Sequence, residues 1–262
     1  MYTDPPLVAE LPVGFQRFHR RRFFNYQLNR AHALGYAHTQ DLLDAAGTIK
    51  RRSDCVEVFN RLSNTAMSEG RFRNATSYLR IAEFFTPPRS PSKLPTYERY
   101  RELFDQGFGG AGIVRHEVPY RNASLPAYLY PSTAGRSDGT VLVHGGFDSL
   151  IEEFFAIWQR IAAAGFNVIA FDGPGQGGAR ALGGLTFDHD WERPVGAVLD
   201  HFGVASAALV GISMGGYWAL RAAAFEPRID RVVSWPPVYD WLLRAPAPVL
   251  AAARAMLRRR RF

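Results

Sequence analysis

Apolar side chains recur three and four positions apart through most of the first 110 residues, the spacing that lines one face of a helix. Phe15 to Leu34, Asp41 to Ile49 and Asp54 to Met67 each carry this period, and Gly35, Gly47 and Gly70 punctuate them. Within this stretch, Leu62 to Phe85 predicts two helices turning on Glu69-Gly70-Arg71, like one copy of a helical repeat. A single copy has no neighbours to bury its faces, so a free-standing repeat scaffold is not expected. Pro87, Pro88, Pro91 and Pro95 should break the helix before another begins over Tyr97 to Phe104.

Past Gly110 the period changes. Ile113 to Arg121 and Leu125 to Tyr130 read as two strands joined through Asn122-Ala123-Ser124, an antiparallel hairpin. Four short apolar strands follow, at Thr140 to His144, Asn167 to Phe171, Ala207 to Ile212 and Arg231 to Trp235. Helical segments separate them: Leu150 to Ala164, Trp191 to Phe202 and Gly215 to Phe225. Strands alternating with helices imply right-handed crossovers and a mostly parallel sheet covered on both faces. The expected organisation is therefore α/β: a helical region over 1–110, then a partial sheet domain over 111–262 of about six strands, ending after the sixth.

Composition narrows the classes. With 47% hydrophobic and 21% charged residues, the chain is neither disordered nor fibrous. Its longest apolar runs fall far short of the roughly 20 residues a membrane helix needs. Met1-Tyr2-Thr3-Asp4-Pro5-Pro6 lacks the basic-then-apolar pattern of a secretory signal, and the one cysteine, Cys55, has no internal partner. A cytoplasmic location is expected. The net charge of +7 is concentrated in Arg20-Arg21-Arg22 and in Arg258 to Arg261, with no recognition motif beside either cluster. Neither nucleic acid nor membrane is expected as a partner.

The candidate chemistry centres on Ser213. Ala208 to Leu220 reads as a buried strand, a Gly211-Ile212-Ser213-Met214-Gly215 turn and a helix. A serine that must stand on a sharp, strained turn needs small neighbours two places away, and glycine meets that need. The helix leading out aims its first amides and positive dipole end at the reacting centre. Upstream, Val141-Leu142-Val143-His144-Gly145-Gly146-Phe147 ends another strand in a His-Gly-Gly turn, where an acyl-transfer enzyme needs an amide donor for the oxyanion. Met214 and Gly146 are the expected donors, with Phe147 as the alternative to Gly146. His144 is expected to hydrogen-bond within its loop rather than act as a base. Whether the aromatics Phe147, Tyr217 and Trp218 pack or face substrate is open.

A third glycine-rich turn, Asp172-Gly173-Pro174-Gly175-Gln176-Gly177-Gly178, formally matches a dinucleotide spacing. It lacks the Gly-Lys-Ser/Thr of a P-loop and runs into Ala-Leu-Gly-Gly, a poor helix start, so nucleotide binding is not expected. No cofactor and no metal are expected; the partner is a small-molecule substrate.

His144-Gly145-Gly146, Phe171-Asp172-Gly173-Pro174-Gly175-Gln176-Gly177 and Gly211-Ile212-Ser213-Met214-Gly215-Gly216 together resemble the α/β-hydrolases in order and approximate spacing. The helical N-terminal region looks like the subgroup containing 2,6-dihydropseudooxynicotine hydrolase and the fungal polyketide-shortening hydrolases of pigment synthesis. The resemblance implies a helical cap over the serine and hydrolysis of C–C bonds beside ketones, or of esters.

In that family the acid and histidine follow the nucleophile. Here the last histidine is His201, and the only acids after Ser213 are Glu226, Asp230 and Asp240. Asp240 is the one positional candidate for the acid, and no downstream base exists. The expectation is a C-terminally incomplete hydrolase chain, with its sixth strand left as an edge open to aggregation or to a homo-oligomeric contact. Three alternatives remain: His189 or His201 swinging in as base, a non-catalytic ligand-binding relative, and a helical interaction module over 15–105.

Overall fold

The computed structural model describes residues 3–235 and 246–259. Five helices come first: α1 (Arg22–Ala33), α2 (Thr39–Thr48), α3 (Arg52–Ser68), α4 (Phe72–Phe85) and α5 (Lys93–Phe108). The α3–α4 hairpin turns at Gly70, whose φ of +74° favours a residue without Cβ. Phe59, Tyr78, Leu79 and Ala82 fill its core without measurable exposure.

Two helix boundaries differ from the pattern. The stretch before Arg22 is not helical, although Phe15 and Phe18 continue the apolar period. Two amides of α1 take over its backbone groups: Asn29 Oδ1 accepts from Gln16 N at 2.7 Å and Asn25 Oδ1 from His19 N at 2.8 Å. Pro95 does not break a helix but lies in the first turn of α5, where no intrahelical N–H is required.

The sheet begins with β1 (Val114–Tyr120) and β2 (Ala123–Tyr130), an antiparallel hairpin in which Tyr120 faces Ala123 across a two-residue turn. Then come β3 (Thr140–His144), α6 (Phe155–Ala163), β4 (Asn167–Phe171), α7 (Gly177–Ala181), α8 (Glu192–Phe202), β5 (Ala207–Ile212), α9 (Met214–Phe225), β6 (Ile229–Trp235) and α10 (Ala247–Arg259). The strand order is β1-β2-β4-β3-β5-β6, antiparallel between β2 and β4 and parallel from β4 onward. A short helix, α7, does start within the third glycine-rich turn, contrary to the sequence reading; at five residues it is little more than one turn.

Both faces are covered at the central strands β3 and β4, which is why these carry apolar runs rather than an alternating pattern. On β4, Ile169 and Phe171 join a core with Trp191, Val195 and Leu199 of the α8 side. Val168 and Ala170 point the other way, onto Phe155 and Trp158 around α6 and onto Phe104 and Phe108 of α5. The helical region is also tied to the loop after β3 by buried charges. Arg80 of α4 pairs with Glu83 at 2.7 Å and Glu153 at 3.3 Å, and its Nη2 donates to the Asp148 carbonyl at 2.5 Å. Arg30 of α1 pairs with Asp148 at 3.1 Å and with Glu153.

No helix among the described residues is long and apolar enough to cross a membrane.

Candidate active site

Ser213 is the single residue between β5 and α9, held at φ +59° and ψ −120°. A non-glycine residue in that region is strained and persists only where its surroundings fix it. Here Ser213 N donates to Trp235 O of β6 at 2.7 Å, and Ser213 O accepts from Gly216 N at 2.9 Å. The flanking glycines are required by contact as well as by conformation. A Cβ on Gly211 would overlap the Gly215 carbonyl oxygen; one on Gly215 would overlap the Gly145 carbonyl oxygen and lie 3.0 Å from His144 Nδ1. The serine turn and the His-Gly-Gly turn thus pack backbone to backbone.

Gly146 faces the serine itself. A Cβ there would lie 3.0 Å from Ser213 Cβ and 2.9 Å from the Ile212 carbonyl oxygen. The Gly146 amide donates to Ser149 Oγ at 3.0 Å. On the inner side, Gln176 Nε2 donates to both Gly145 O, at 2.7 Å, and Gly146 O, at 2.9 Å, while its Oε1 accepts from Gly173 N at 2.8 Å. A trans peptide directs its N–H opposite to its C=O, so the Gly146 and Phe147 amides point away from Gln176. Met214 opens α9, one of the positions whose amides have no partner within the helix. Phe147 is 54% exposed and stacks on Phe187 at 5.3 Å, which continues through Trp218 at 5.1 Å to Trp191 at 4.3 Å beyond it.

A model of the alpha/beta hydrolase fold matches residues 141–257, the part of the chain that carries both turns. Hydrolase acrC of Aspergillus aculeatus is 34% identical over 207 residues, covering 68% of this chain and 48% of that protein. Hydrolyase poxO of Penicillium oxalicum is 31% identical over 270 residues, covering 86% of this chain and 62% of that protein. The chain belongs to the α/β-hydrolase superfamily. It spans between about half and three-fifths of the length of these two relatives. Among solved structures, the 2,6-dihydroxy-pseudo-oxynicotine hydrolase superposes with a TM-score of 0.59 at 22% identity, over 79% of this chain and 64% of that one, and so shares the fold.

The other titratable groups of this α/β-hydrolase chain are committed elsewhere. His144 is wholly buried and accepts at Nε2 from the Trp191 indole, which can only donate, at 3.2 Å. Its proton therefore sits on Nδ1, directed at Gly145 O 3.1 Å away, and burial lowers its pKa to about 4. His201 bonds His116 of β1 at 3.1 Å, at the opposite edge of the sheet from β6. His189 lies between Asp188, at 3.3 Å, and Asp190, at 3.0 Å. Asp190 and Glu192 in turn hold Arg221, two turns along α9 from Ser213. Glu226 pairs with Arg228 and Asp230 with Arg231. Asp240 lies outside the described residues. Among the described residues, no side chain hydrogen-bonds Ser213 Oγ.

Several amides of the third glycine-rich turn are bonded within the protein. Gly173 N goes to Gln176, Gly175 N to Leu185 O at 3.1 Å, and Gly178 N to Asp172 Oδ2 at 3.0 Å. Gln176 and Trp191 are the residues that motif reading missed. Gln176 stands as a polar side chain amid the glycines of Gly173-Pro174-Gly175-Gln176-Gly177, its one signal in the sequence.

Proposed function

We propose that Ser213 is the nucleophile of a hydrolase acting on a small-molecule ester, or on a C–C bond beside a ketone. The observation that carries this reading is the strained Ser213 backbone between β5 and α9 with Gly146 packed directly against it. In the reaction Ser213 Oγ adds to the carbonyl carbon and its proton passes to a base. The tetrahedral oxyanion receives the Met214 amide and one amide of the Gly146–Phe147 loop; collapse expels an alkoxide or an enolate, which is protonated. Water then releases the acid from the acyl-serine and restores the hydroxyl. The Gly146 amide already has Ser149 Oγ as partner, so it serves the oxyanion by sharing or exchanging that bond. The helical region over 1–110 acts as the cap over this centre.

The base is the part these 262 residues do not supply. All seven histidines precede Ser213, and His144, the one beside the serine turn, is held neutral by burial and by Trp191. Without a base, serine catalysis falls to the residual roughly 10³ to 10⁴ over water that an oxyanion hole and binding provide. This favours a second reading, a ligand-binding relative that has kept the site's shape. The test is turnover of p-nitrophenyl acetate and of a β-diketone by the gene product, including any polypeptide that follows residue 262. Hydrolysis of either should fall on the order of 10⁴-fold in Ser213→Ala. Normal turnover in that variant would refute the nucleophile. Tight ligand binding by the 262-residue chain, unchanged in Ser213→Ala and without hydrolysis, would favour the second reading.

A further inference from the structure

A cleft of about 1100 Å³ separates helices α3 to α5 from the 147–150 loop and α7. Its size is at or just above the upper end of small-molecule sites, roughly 300 to 1,000 Å³. Aromatic rings form two of its walls. On the helical side Phe23 lies 6.3 Å from Phe84 and 5.8 Å from Phe85. On the sheet side stands Phe147, anchored by its stack on Phe187 and half exposed to the cleft. Phe23 and Phe147, 43% and 54% exposed, carry a hydration cost that a flat apolar ligand would relieve.

The charges in the cleft divide into paired and unpaired groups. Glu83 is occupied by Arg80 and by Lys93 at 2.5 Å, and Asp148 by Arg30. Arg180 of α7 and Arg52 of α3 have no carboxylate partner among the described residues; the guanidinium of Arg52 lies 5.2 Å from the centre of the Phe23 ring. Glu57, on α3 with Arg52, is the one carboxylate of the lining without an ion pair among the described residues. The α7 wall therefore presents a cation with no anion set against it among the described residues, on the helix that follows Gln176, whose amide holds the loop packed on Ser213.

We propose that this cleft takes a planar, largely apolar organic anion, stacked between Phe147 and the Phe84 side, with its anionic oxygen on Arg180. The proposal rests on the reading above for Ser213 as the reacting residue; Phe147, which lines the cleft and follows the Gly146 packed on Ser213, joins the cleft to that residue. Binding can be read without turnover, by fluorescence titration with 8-anilinonaphthalene-1-sulfonate and with the uncharged N-phenyl-1-naphthylamine. Arg180→Gln should weaken the sulfonate about tenfold and leave the uncharged probe within about twofold. Arg17→Gln, which removes an exposed charge outside the cleft, should change neither. Ser213→Ala should bind both probes as the parent does, so failure of the nucleophile and failure of anion selection are read separately. Sulfonate binding unchanged in Arg180→Gln, or an equal loss for both probes, would overturn the proposal.

Discussion

At Gly215 the chain has no room for a methyl group. An alanine there would drive its Cβ into the Gly145 carbonyl oxygen, a backbone atom that cannot rotate away, and would push the serine turn and the His-Gly-Gly turn apart. Gly215→Ala should lower unfolding stability by about 3 kcal/mol or more in urea denaturation. Gly109 is the contrast: its φ is −59° and a Cβ would meet nothing within 4 Å. Gly109→Ala should raise stability by about 0.5 kcal/mol through the unfolded chain. Equal effects at the two sites would contradict the steric account. The spacing of glycines around Ser213 was legible in the sequence because the strain of the turn is local. Gln176 and Trp191 were not, because what makes them matter is contact with residues about 30 and 47 positions away.

Between elements, the strongest ties are ionic. Arg80 leaves α4 to meet Glu83, Glu153 and the Asp148 carbonyl, with only 9% of its side chain exposed. Removing one partner of such a cluster strands the others in a dry environment. Arg80→Met should cost about 3 to 5 kcal/mol in unfolding stability. A loss below about 1 kcal/mol would mean that helix packing alone holds the helical region to the loop. Strands β3, β4 and β5 were legible to the residue because fully apolar runs between polar turns leave few alternatives. The start of α1 was not: the apolar period of Phe15 and Phe18 continues that of the helix, and only the folded positions of Asn25 and Asn29 divert the backbone. Strand order was likewise beyond the pattern, since pairing depends on contacts far apart in the chain.

Across the whole molecule, buried titratable groups give opposite responses to pH. His144 is held near 4 against an ordinary 6.5, so the unfolded chain takes up a proton that the native state refuses. Its contribution is full above 6.5 and is lost as pH falls toward 4, by at most about 1.4 kcal/mol per unit. Glu152 and Asp172 behave in the reverse sense. Burial raises both carboxyls, so their contribution is full below the ordinary values and is lost as pH rises through the raised ones. Glu152→Gln should therefore flatten the fall in Tm as pH rises above the ordinary carboxyl value of 4.5, while the loss on acidification that His144 contributes persists. A Tm profile that falls equally with rising pH above 4.5 in both proteins would contradict this assignment.

The outer part of the molecule leaves apolar surface exposed: Leu220 and Phe225 on α9, Val233 and Trp235 on β6, each about half or more accessible. Among the described residues β6 pairs only with β5. The chain covers 48% and 62% of the two relatives it matches. Reactivity at Ser213 is thus the central claim, and it can be tested directly by mapping a fluorophosphonate adduct by mass spectrometry on the 262-residue chain. Slow modification of Ser213 is predicted, faster when imidazole is added as an external base, and none in Ser213→Ala. Labelling undiminished in Ser213→Ala, or no adduct on Ser213 even with imidazole, would contradict it.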